Sequence, residues 1–315
     1  MHEFTNFKRR IVMQTTNSLL MIRPVDFRFN EQTASNNRFQ QDSDEINVQQ
    51  KALKEFDGFV SELRNNGIDV TVINDTLQPE TPDSIFPNNW ISLHEDGTVV
   101  LYPMFSENRR LERRQDILEE LSNKFALSRL IDLSDYENKN HFLEGTGSLV
   151  LDRKAKIAYA CRSLRTSEDV IEDFCTQTGY NFVLFNALDG TGFPIYHTNV
   201  MMCIAEEFAV ICLDAIPDLI QRDMVADSLR NNGKTVMDIT IDQMNQFAGN
   251  MLQVKNDKNE SLLVMSDQAY HALSKEQIDL LETYNKIVTA PISTIEKHGG
   301  GSARCMLAEI HLPKR

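Results

Sequence analysis

Short apolar runs recur in pairs along this chain, and a polar turn separates the two members of each pair. The pairs occupy residues 89–93 and 98–102, 144–151 and 157–161, 197–204 and 208–213, and 250–254 and 261–265. Paired β-rich runs with turn residues between them predict β-hairpins. A fifth run, at 305–312, has no later partner. We expect it to pair with the apolar run at 18–23, which would remove two exposed sheet edges.

Segments with helical spacing lie between the hairpins. They span residues 49–67, 107–125, 167–179, 216–232 and 274–284, with apolar positions along one side and charged positions elsewhere. A short strand candidate follows each segment, as 69–73 follows the first. The predicted unit is therefore β-β-α-β, repeated along the chain.

A polar residue stands at the front of one apolar run in each repeat. These residues are Asn89, Glu144, His197, Asn250 and Cys305, at intervals of 55, 53, 53 and 55. Equivalent positions in a closed ring of repeats converge on its axis, so a carboxylate, an imidazole and a thiol would meet there. An ordinary doubly wound sheet is the alternative. The regular intervals favour an α/β fold with five blades, a pseudo-symmetric propeller around a central active site.

Length and charge limit the domain organisation and the partners. The 315 residues contain no Pro-, Gly- or Ser-rich linker, so 1–315 are interpreted as one catalytic domain, with 1–15 as a peripheral or flexible segment. No apolar stretch near the N-terminus suits a signal peptide or membrane span, which favours a cytoplasmic protein without a membrane partner. A net charge of −14 disfavours nucleic acid. The sequence leaves open whether the chain forms a homo-oligomer.

One cysteine differs from the others in its surroundings. The cysteines at 161, 175, 203 and 212 lie in apolar segments typical of core cysteine, and no C-x-x-C or zinc-ligand pattern predicts a metal. Cys305 instead follows a glycine-rich loop, and the adjacent Arg304 favours a thiolate. With His197 and Glu144 at matched repeat positions, the chain offers a nucleophile, a proton carrier and an orienting carboxylate. Such chemistry requires no cofactor.

Several motifs resemble one enzyme superfamily. They are MIRP at 21–24, PDSIFPNNW at 82–90, NRRLERR at 108–114, LEGTGS at 143–148, YHTN at 196–199, GN at 249–250 and HGGGSARC at 298–305. The chain resembles the pentein superfamily of five-bladed α/β propellers, which includes arginine deiminases, dimethylarginine dimethylaminohydrolases and amidinotransferases. Within it, the resemblance is strongest to the amidinotransferase-like and citrulline-utilisation hydrolases. It implies cysteine-dependent chemistry at the guanidino or ureido carbon of an amino-acid substrate.

The resemblance also implies catalytic roles. Cys305 matches the nucleophile that attacks the central carbon of the guanidino or ureido group. His197 matches the residue that protonates the departing amine and then activates water, or an acceptor amine in the transferases. Glu144 matches the acidic residue beside the histidine and the substrate.

Three charged residues match substrate-binding positions of the superfamily. Asp83 matches an acidic residue of the substrate loop in the dimethylarginine hydrolases. Arg109 and Arg165 match cations that bind a substrate's α-carboxylate. A solvated surface position is the alternative for both arginines.

Asparagines replace carboxylates of the family pattern. Asn88 and Asn89 stand where relatives hold a guanidinium with acids, and Asn199 stands where deiminases have an aspartate. A guanidinium only donates, which suits carboxylates, whereas an amide also donates and suits a ureido carbonyl. The favoured substrate is therefore citrulline, cleaved to ornithine, ammonia and carbon dioxide. Because Asp83 and Glu144 could still bind a guanidinium, arginine deiminase, dimethylarginine hydrolase and amidinotransferase activities stay open.

A protein of another class is the remaining alternative. Propellers of this fold include a non-enzymatic ribosome anti-association factor, and fold alone does not fix function. The combination of Glu144, His197 and Cys305 favours an enzyme, because a binding module does not require it.

Overall fold

The computed structural model describes residues 12–34, 36–42 and 45–315. Its strands are β1 Ser18–Arg23, β2 Asp69–Asn74, β3 Ile91–Leu93, β4 Thr98–Leu101, β5 Arg129–Asp132, β6 Val150–Asp152, β7 Ile157–Cys161, β8 Asn181–Phe185, β9 Met202–Ile204, β10 Phe208–Ile211, β11 Thr235–Asp238, β12 Leu252–Lys255, β13 Ser261–Ser266, β14 Lys286–Ala290 and β15 Ala308–Glu309. Its helices are α1 Glu31–Ala34, α2 Val48–Asn65, α3 Glu107–Arg110, α4 Gln115–Lys124, α5 Gly145–Ser148, α6 Glu168–Thr178, α7 Thr198–Met201, α8 Leu219–Asn231, α9 Ile241–Asn245, α10 Asp267–Ala272, α11 Lys275–Glu282 and α12 Ser293–Gly299. Short 3₁₀ turns span Pro87–Asn89, Ser134–Lys139, Leu213–Ala215 and Ala303–Met306.

The strands form five three-stranded sheets, ordered β15-β1-β2, β3-β4-β5, β6-β7-β8, β9-β10-β11 and β12-β13-β14. In the last four, an antiparallel hairpin comes first, and helices α4, α6, α8 or the pair α10 and α11 lead to a third, parallel strand. This is the predicted β-β-α-β unit. The prediction of a five-bladed α/β propeller is confirmed.

Strand β1 joins the two ends of the described chain. It pairs antiparallel with β15, with Leu19 opposite Glu309, and parallel with β2. The predicted pairing of the run at 18–23 with the C-terminal run is therefore confirmed. Of the segment 1–15, residues 1–11 lie outside the described residues, whereas Gln14 is buried and donates to the carbonyls of Leu151 and Ile204.

The predicted single helix at 107–125 is wrong. Helix α3 ends at Arg110 and α4 begins at Gln115, because Arg114 before α4 has an extended backbone, with φ −87° and ψ 134°. The interruption lets Arg109 and Glu112 turn inward, where both are buried. A buried ion pair between Arg109 and Glu112 therefore lies at the break between the two helices.

Apolar side chains from the sheets and crossover helices form the core between and beneath the blades. The largest cluster contains strand residues such as Val210 and Leu263, and a second contains Phe56 and Phe59 of α2. All five cysteines are free and buried. None of the helices in the described ranges has the length and apolarity needed to cross a membrane.

Candidate active site

The five repeat residues are buried to 3 % exposure or less. Most of them sit in or beside a short helical turn that precedes the strand, a detail the apolar runs did not predict. Asn89 ends a 3₁₀ turn, Glu144 and His197 come directly before α5 and α7, and Cys305 lies within the turn at Ala303–Met306. Asn250 lies shortly before β12.

Glu144 and His197 form a buried pair. Their Oε2 and Nε2 atoms are 2.7 Å apart, and the Phe105 amide donates to the other carboxylate oxygen at 3.0 Å. Burial opposes the charge of Glu144, but the guanidinium of Arg165 and the hydrogen bond with His197 outweigh it and hold the pKa of Glu144 well below its usual value. The ionised carboxylate only accepts, so His197 donates through Nε2–H.

His197 is neutral near pH 7. Burial lowers its pKa to about 4, although Glu144 acts in the opposite direction. With the proton on Nε2, Nδ1 is the nitrogen that can accept another. An added Cβ at Gly147 would lie 2.7 Å from Nδ1 and 2.5 Å from Asn89 Nδ2, so only glycine leaves room here.

Cys305 receives two amide donors. Its Sγ lies 3.4 Å from Nδ2 of Asn199 and 3.3 Å from Nδ2 of Asn250. The Arg304 guanidinium, expected beside the sulfur, instead donates to the Leu307 carbonyl and to Glu309. The amide dipoles, rather than that cation, are placed to stabilise negative charge on the sulfur.

Arg109 is held by other protein groups. Its Nε and Nη2 donate to both oxygens of Glu112, at 2.8 and 3.0 Å, and Nη1 donates to Asn89 Oδ1 at 2.8 Å. Nη1 also lies 3.9 Å from Glu144 Oε2. Only 2 % of the side chain is exposed, so the alternative of a solvated position is wrong.

Arg165 also contacts the carboxylate of Glu144. Its Nη1 donates to Glu144 Oε2 at 3.2 Å, and Nη2 donates to the Thr33 carbonyl at 3.2 Å and to Asn36. It is equally buried. Both arginines lie in the site, and their binding of an α-carboxylate stays a prediction.

Asp83 has an oxygen without a partner. Its Oδ2 accepts from Asn30 Nδ2 at 2.7 Å and from the Thr33 hydroxyl at 3.2 Å, while Oδ1 is buried with no hydrogen bond from the described residues. Burial raises the pKa of Asp83, although Arg109 opposes the shift. Such an oxygen is suited to an N–H donor of a ligand.

Six of the nine predicted site residues line one cavity of about 10 Å³. They are Asp83, Asn89, Arg109, Arg165, His197 and Cys305. The other three lie one contact away: Glu144 bonds His197, Asn88 Oδ1 accepts from Asn89 at 3.1 Å, and Asn199 touches the sulfur. The volume fits about one water molecule. Admission of an amino acid therefore requires part of the lining to move.

Sequence reasoning missed several residues of this site. Asn250 holds a repeat position, Glu112 lies in a resemblance motif and Tyr196 precedes the histidine, so signals existed for these three. Asn37 gave no signal, because its irregular segment has neither repeat nor periodicity. It nevertheless lines the cavity and donates to the carbonyls of the glycine loop.

Comparison with known proteins supports the superfamily resemblance. The profile of the family described as N,N dimethylarginine dimethylhydrolase, eukaryotic, matches residues 23–312. The chain belongs to this family. The predicted relationship to the dimethylarginine dimethylaminohydrolases of the pentein superfamily is thereby confirmed. A comparison with curated proteins gave no significant match.

Solved structures share the fold. ArgZ, an arginine dihydrolase from the ornithine–ammonia cycle in cyanobacteria, superposes with a TM-score of 0.74 at 17 % identity, over 94 % of this chain and 41 % of ArgZ. Unliganded AgrE superposes with a TM-score of 0.73 at 17 % identity, over 95 % of this chain and 40 % of AgrE. A dimethylarginine dimethylaminohydrolase adduct with S-methyl-L-thiocitrulline superposes with a TM-score of 0.64 at 13 % identity, over 94 % of this chain and 99 % of that enzyme. This chain thus spans about two fifths of the ArgZ and AgrE chains.

Proposed function

We propose that this protein hydrolyses a C–N bond at the central carbon of an arginine-like amino acid, through a covalent intermediate on Cys305. One observation carries the proposal. A thiol with two amide donors and an imidazole bonded to an ionised carboxylate face the same buried cavity. Nucleophile, proton carrier and orienting group are the parts that covalent catalysis requires.

Each residue has a role in the two half-reactions. The Cys305 thiol passes its proton to Nδ1 of His197 as the sulfur adds to the central carbon, and the imidazolium delivers that proton to the departing amine as the carbon–nitrogen bond breaks. Water then attacks the thio-intermediate while Nδ1 takes a proton from it, and the carbon–sulfur bond breaks as the imidazolium returns that proton to the sulfur. Glu144 keeps the proton on Nε2, so that Nδ1 alternates between base and acid.

Charge favours a guanidinium as the first substrate. Three carboxylates, of Asp83, Glu112 and Glu144, lie beside two guanidinium groups, of Arg109 and Arg165. The group carries one negative charge when all five are ionised. Burial raises the pKa values of Asp83 and of Glu112, the latter to about 8, and a substrate guanidinium would stabilise their ionised forms. The unpaired Asp83 oxygen would accept one of its N–H donors. The family match and the arginine dihydrolase ArgZ support the same substrate class.

Citrulline is the second candidate, because Asn89 offers an amide to the cavity. Arg109 occupies its Oδ1 and Asn88 Oδ1 accepts one N–H of Nδ2, so the second N–H of Nδ2 is the donor left for a ligand, and an N–H donor suits a ureido carbonyl. Hydrolysis of citrulline would release ornithine, ammonia and carbon dioxide. A dihydrolase would perform both reactions in succession.

The test is an assay of the purified chain with arginine, N,N-dimethylarginine and citrulline separately. Ammonia, dimethylamine, citrulline and ornithine are measured, with Cys305→Ala as control. Release of an amine that is lost in the variant supports the hydrolase, and the product identifies the substrate. New guanidino compounds formed only when an acceptor amine is added would identify an amidinotransferase. Tight substrate binding without turnover would overturn the proposal in favour of a binding protein.

A further inference from the structure

A large cavity lies outside the catalytic one. It measures about 760 Å³, and its wall includes Arg38, Phe39, Phe247, Gln268 and Glu296. The two cavities share a boundary, because the Phe39 ring packs on Tyr196, with centroids 6.1 Å apart, and Tyr196 lines the catalytic cavity. Nothing in the reaction proposed above uses this space.

Glu296 is unusual among the buried acids. Each of the other buried carboxylates in the described ranges has a cationic partner within 4.0 Å. These carboxylates belong to Asp75, Asp83, Glu112, Glu144 and Asp152. Glu296 is 3 % exposed, and no Lys, Arg or His among the described residues forms an ion pair with it. Its carboxylate is hydrogen-bonded by the hydroxyl of Ser302, at 2.6 Å, and by that of Ser266, neither of which carries a charge. A buried carboxylate without a cation is costly.

The chemistry of the wall indicates what would complete this carboxylate. Burial raises the pKa of Glu296 to about 7, and the carboxylates of Glu55 and Asp267 act in the same direction. A cation beside Glu296 would relieve both burial and repulsion. Aromatic Phe39 and Phe247 on the same wall can pack against the carbon chain of a small organic ligand.

We infer that this cavity is a second binding site, which takes a small organic cation, a primary ammonium or guanidinium, as the ion-pair partner of Glu296. The ligand would touch the loop that carries the nucleophile. The Ser302 hydroxyl donates to the Glu296 carboxylate, and the Ser302 carbonyl accepts from the Cys305 amide at 2.9 Å. The Gly300 amide donates to the Glu296 carbonyl at 2.9 Å. The inference does not depend on the activity proposed for Cys305.

The test is calorimetric titration of the full chain with cadaverine and, as the matched neutral ligand, 1,5-pentanediol. We expect cadaverine to bind and the diol to bind at least tenfold more weakly. Glu296→Gln should weaken cadaverine at least tenfold, because the amide keeps the Ser302 contact and removes the charge. Exposed Glu276→Gln should leave binding unchanged. Equal binding of both ligands, or no binding of cadaverine, would overturn the inference.

Two further variants separate this cavity from the catalytic one. Glu144→Gln removes a carboxylate of the catalytic site, and cadaverine binding should survive it. Gln268→Trp introduces a large side chain on the cavity wall and keeps Glu296 itself unchanged, and binding should be lost while the melting temperature is retained. Binding that disappears with Glu144→Gln and persists in Gln268→Trp would place the cation in the catalytic site and contradict the inference, whether or not the protein hydrolyses arginine.

Discussion

Glu144 Oε2 lies 2.7 Å from His197 Nε2, in a pair whose side chains are 0 % and 2 % exposed. The contact fixes the tautomer of the imidazole and also favours the imidazolium, against burial and the nearby guanidinium groups of Arg165 and Arg109. Catalysis and acid sensitivity therefore depend on the same two side chains.

Replacement of Glu144 by glutamine should lower kcat about 10²–10⁴-fold, the range for loss of acid–base assistance. Without the negative charge, His197 gains a proton less readily, so its pKa falls below about 4 and the departing amine lacks a proton donor. The pH dependence of kcat/KM, together with kcat, measures both effects. Glu119→Gln on the exposed face of α4 is the control. A loss below tenfold would contradict the role.

Acid should destabilise the fold through His197. Above about pH 6.5 the imidazole is neutral in both folded and unfolded chains. As the pH falls towards 4, the unfolded chain takes up a proton that the folded one does not, so the free energy of unfolding decreases by on the order of 3 kcal/mol. Urea unfolding between about pH 6.5 and 4.5 should show a shallower loss in His197→Asn. If the free energy of unfolding fell equally with pH in the wild type and in His197→Asn, His197 would not be the source of the acid sensitivity.

Gly147→Ala should inactivate the enzyme with a smaller effect on stability. The new methyl group would collide with His197 Nδ1 and Asn89 Nδ2, and ångström displacements of catalytic groups cost about 10²-fold. Gly58→Ala is the control, because nothing lies within 4 Å of a Cβ there and alanine favours helix α2. Steady-state rates and melting temperatures distinguish the two. Full activity in Gly147→Ala would show that the site relaxes around the methyl group.

The five-fold spacing predicted the blades and the residues that meet, because equivalent positions of a repeat occupy equivalent places in space. Its limit is visible at Asn199 and Arg304. The sequence favoured Arg304 as the neighbour of the thiolate, but side-chain direction in the turn before β15 sends its guanidinium to Glu309. Asn199, predicted to bind substrate, touches the sulfur instead of lining the cavity. Adjacency in sequence does not fix such directions, and the contacts of Asn37 are invisible without the tertiary structure.

Arg109 should stabilise the fold mainly by compensating Glu112. Arg109→Met leaves that carboxylate buried without its partner, which costs about 3–5 kcal/mol. The double variant Arg109→Met, Glu112→Met should recover a large part of the loss, because both charges are then absent. Urea unfolding of the wild type, two single variants and the double variant measures the coupling. Additive losses would show that the pair contributes no net interaction.

Asn89→Asp should shift preference from citrulline to arginine. Arg109 Nη1 donates to Asn89 Oδ1 at 2.8 Å, and the substitution keeps that bond. It replaces Nδ2 by an acceptor oxygen and so removes both the donation to Asn88 Oδ1, at 3.1 Å, and the N–H that faces a ligand. A guanidinium gains a carboxylate oxygen, whereas a ureido carbonyl loses a donor and meets a negative charge. The ratio of kcat/KM for arginine to that for citrulline should rise at least about tenfold. Asn88→Asp, which places the same change one contact outside the cavity, should alter the ratio far less. A ratio within twofold of the wild type would show that Asn89 does not discriminate between the two groups, and an equal loss on both substrates would assign it to positioning alone.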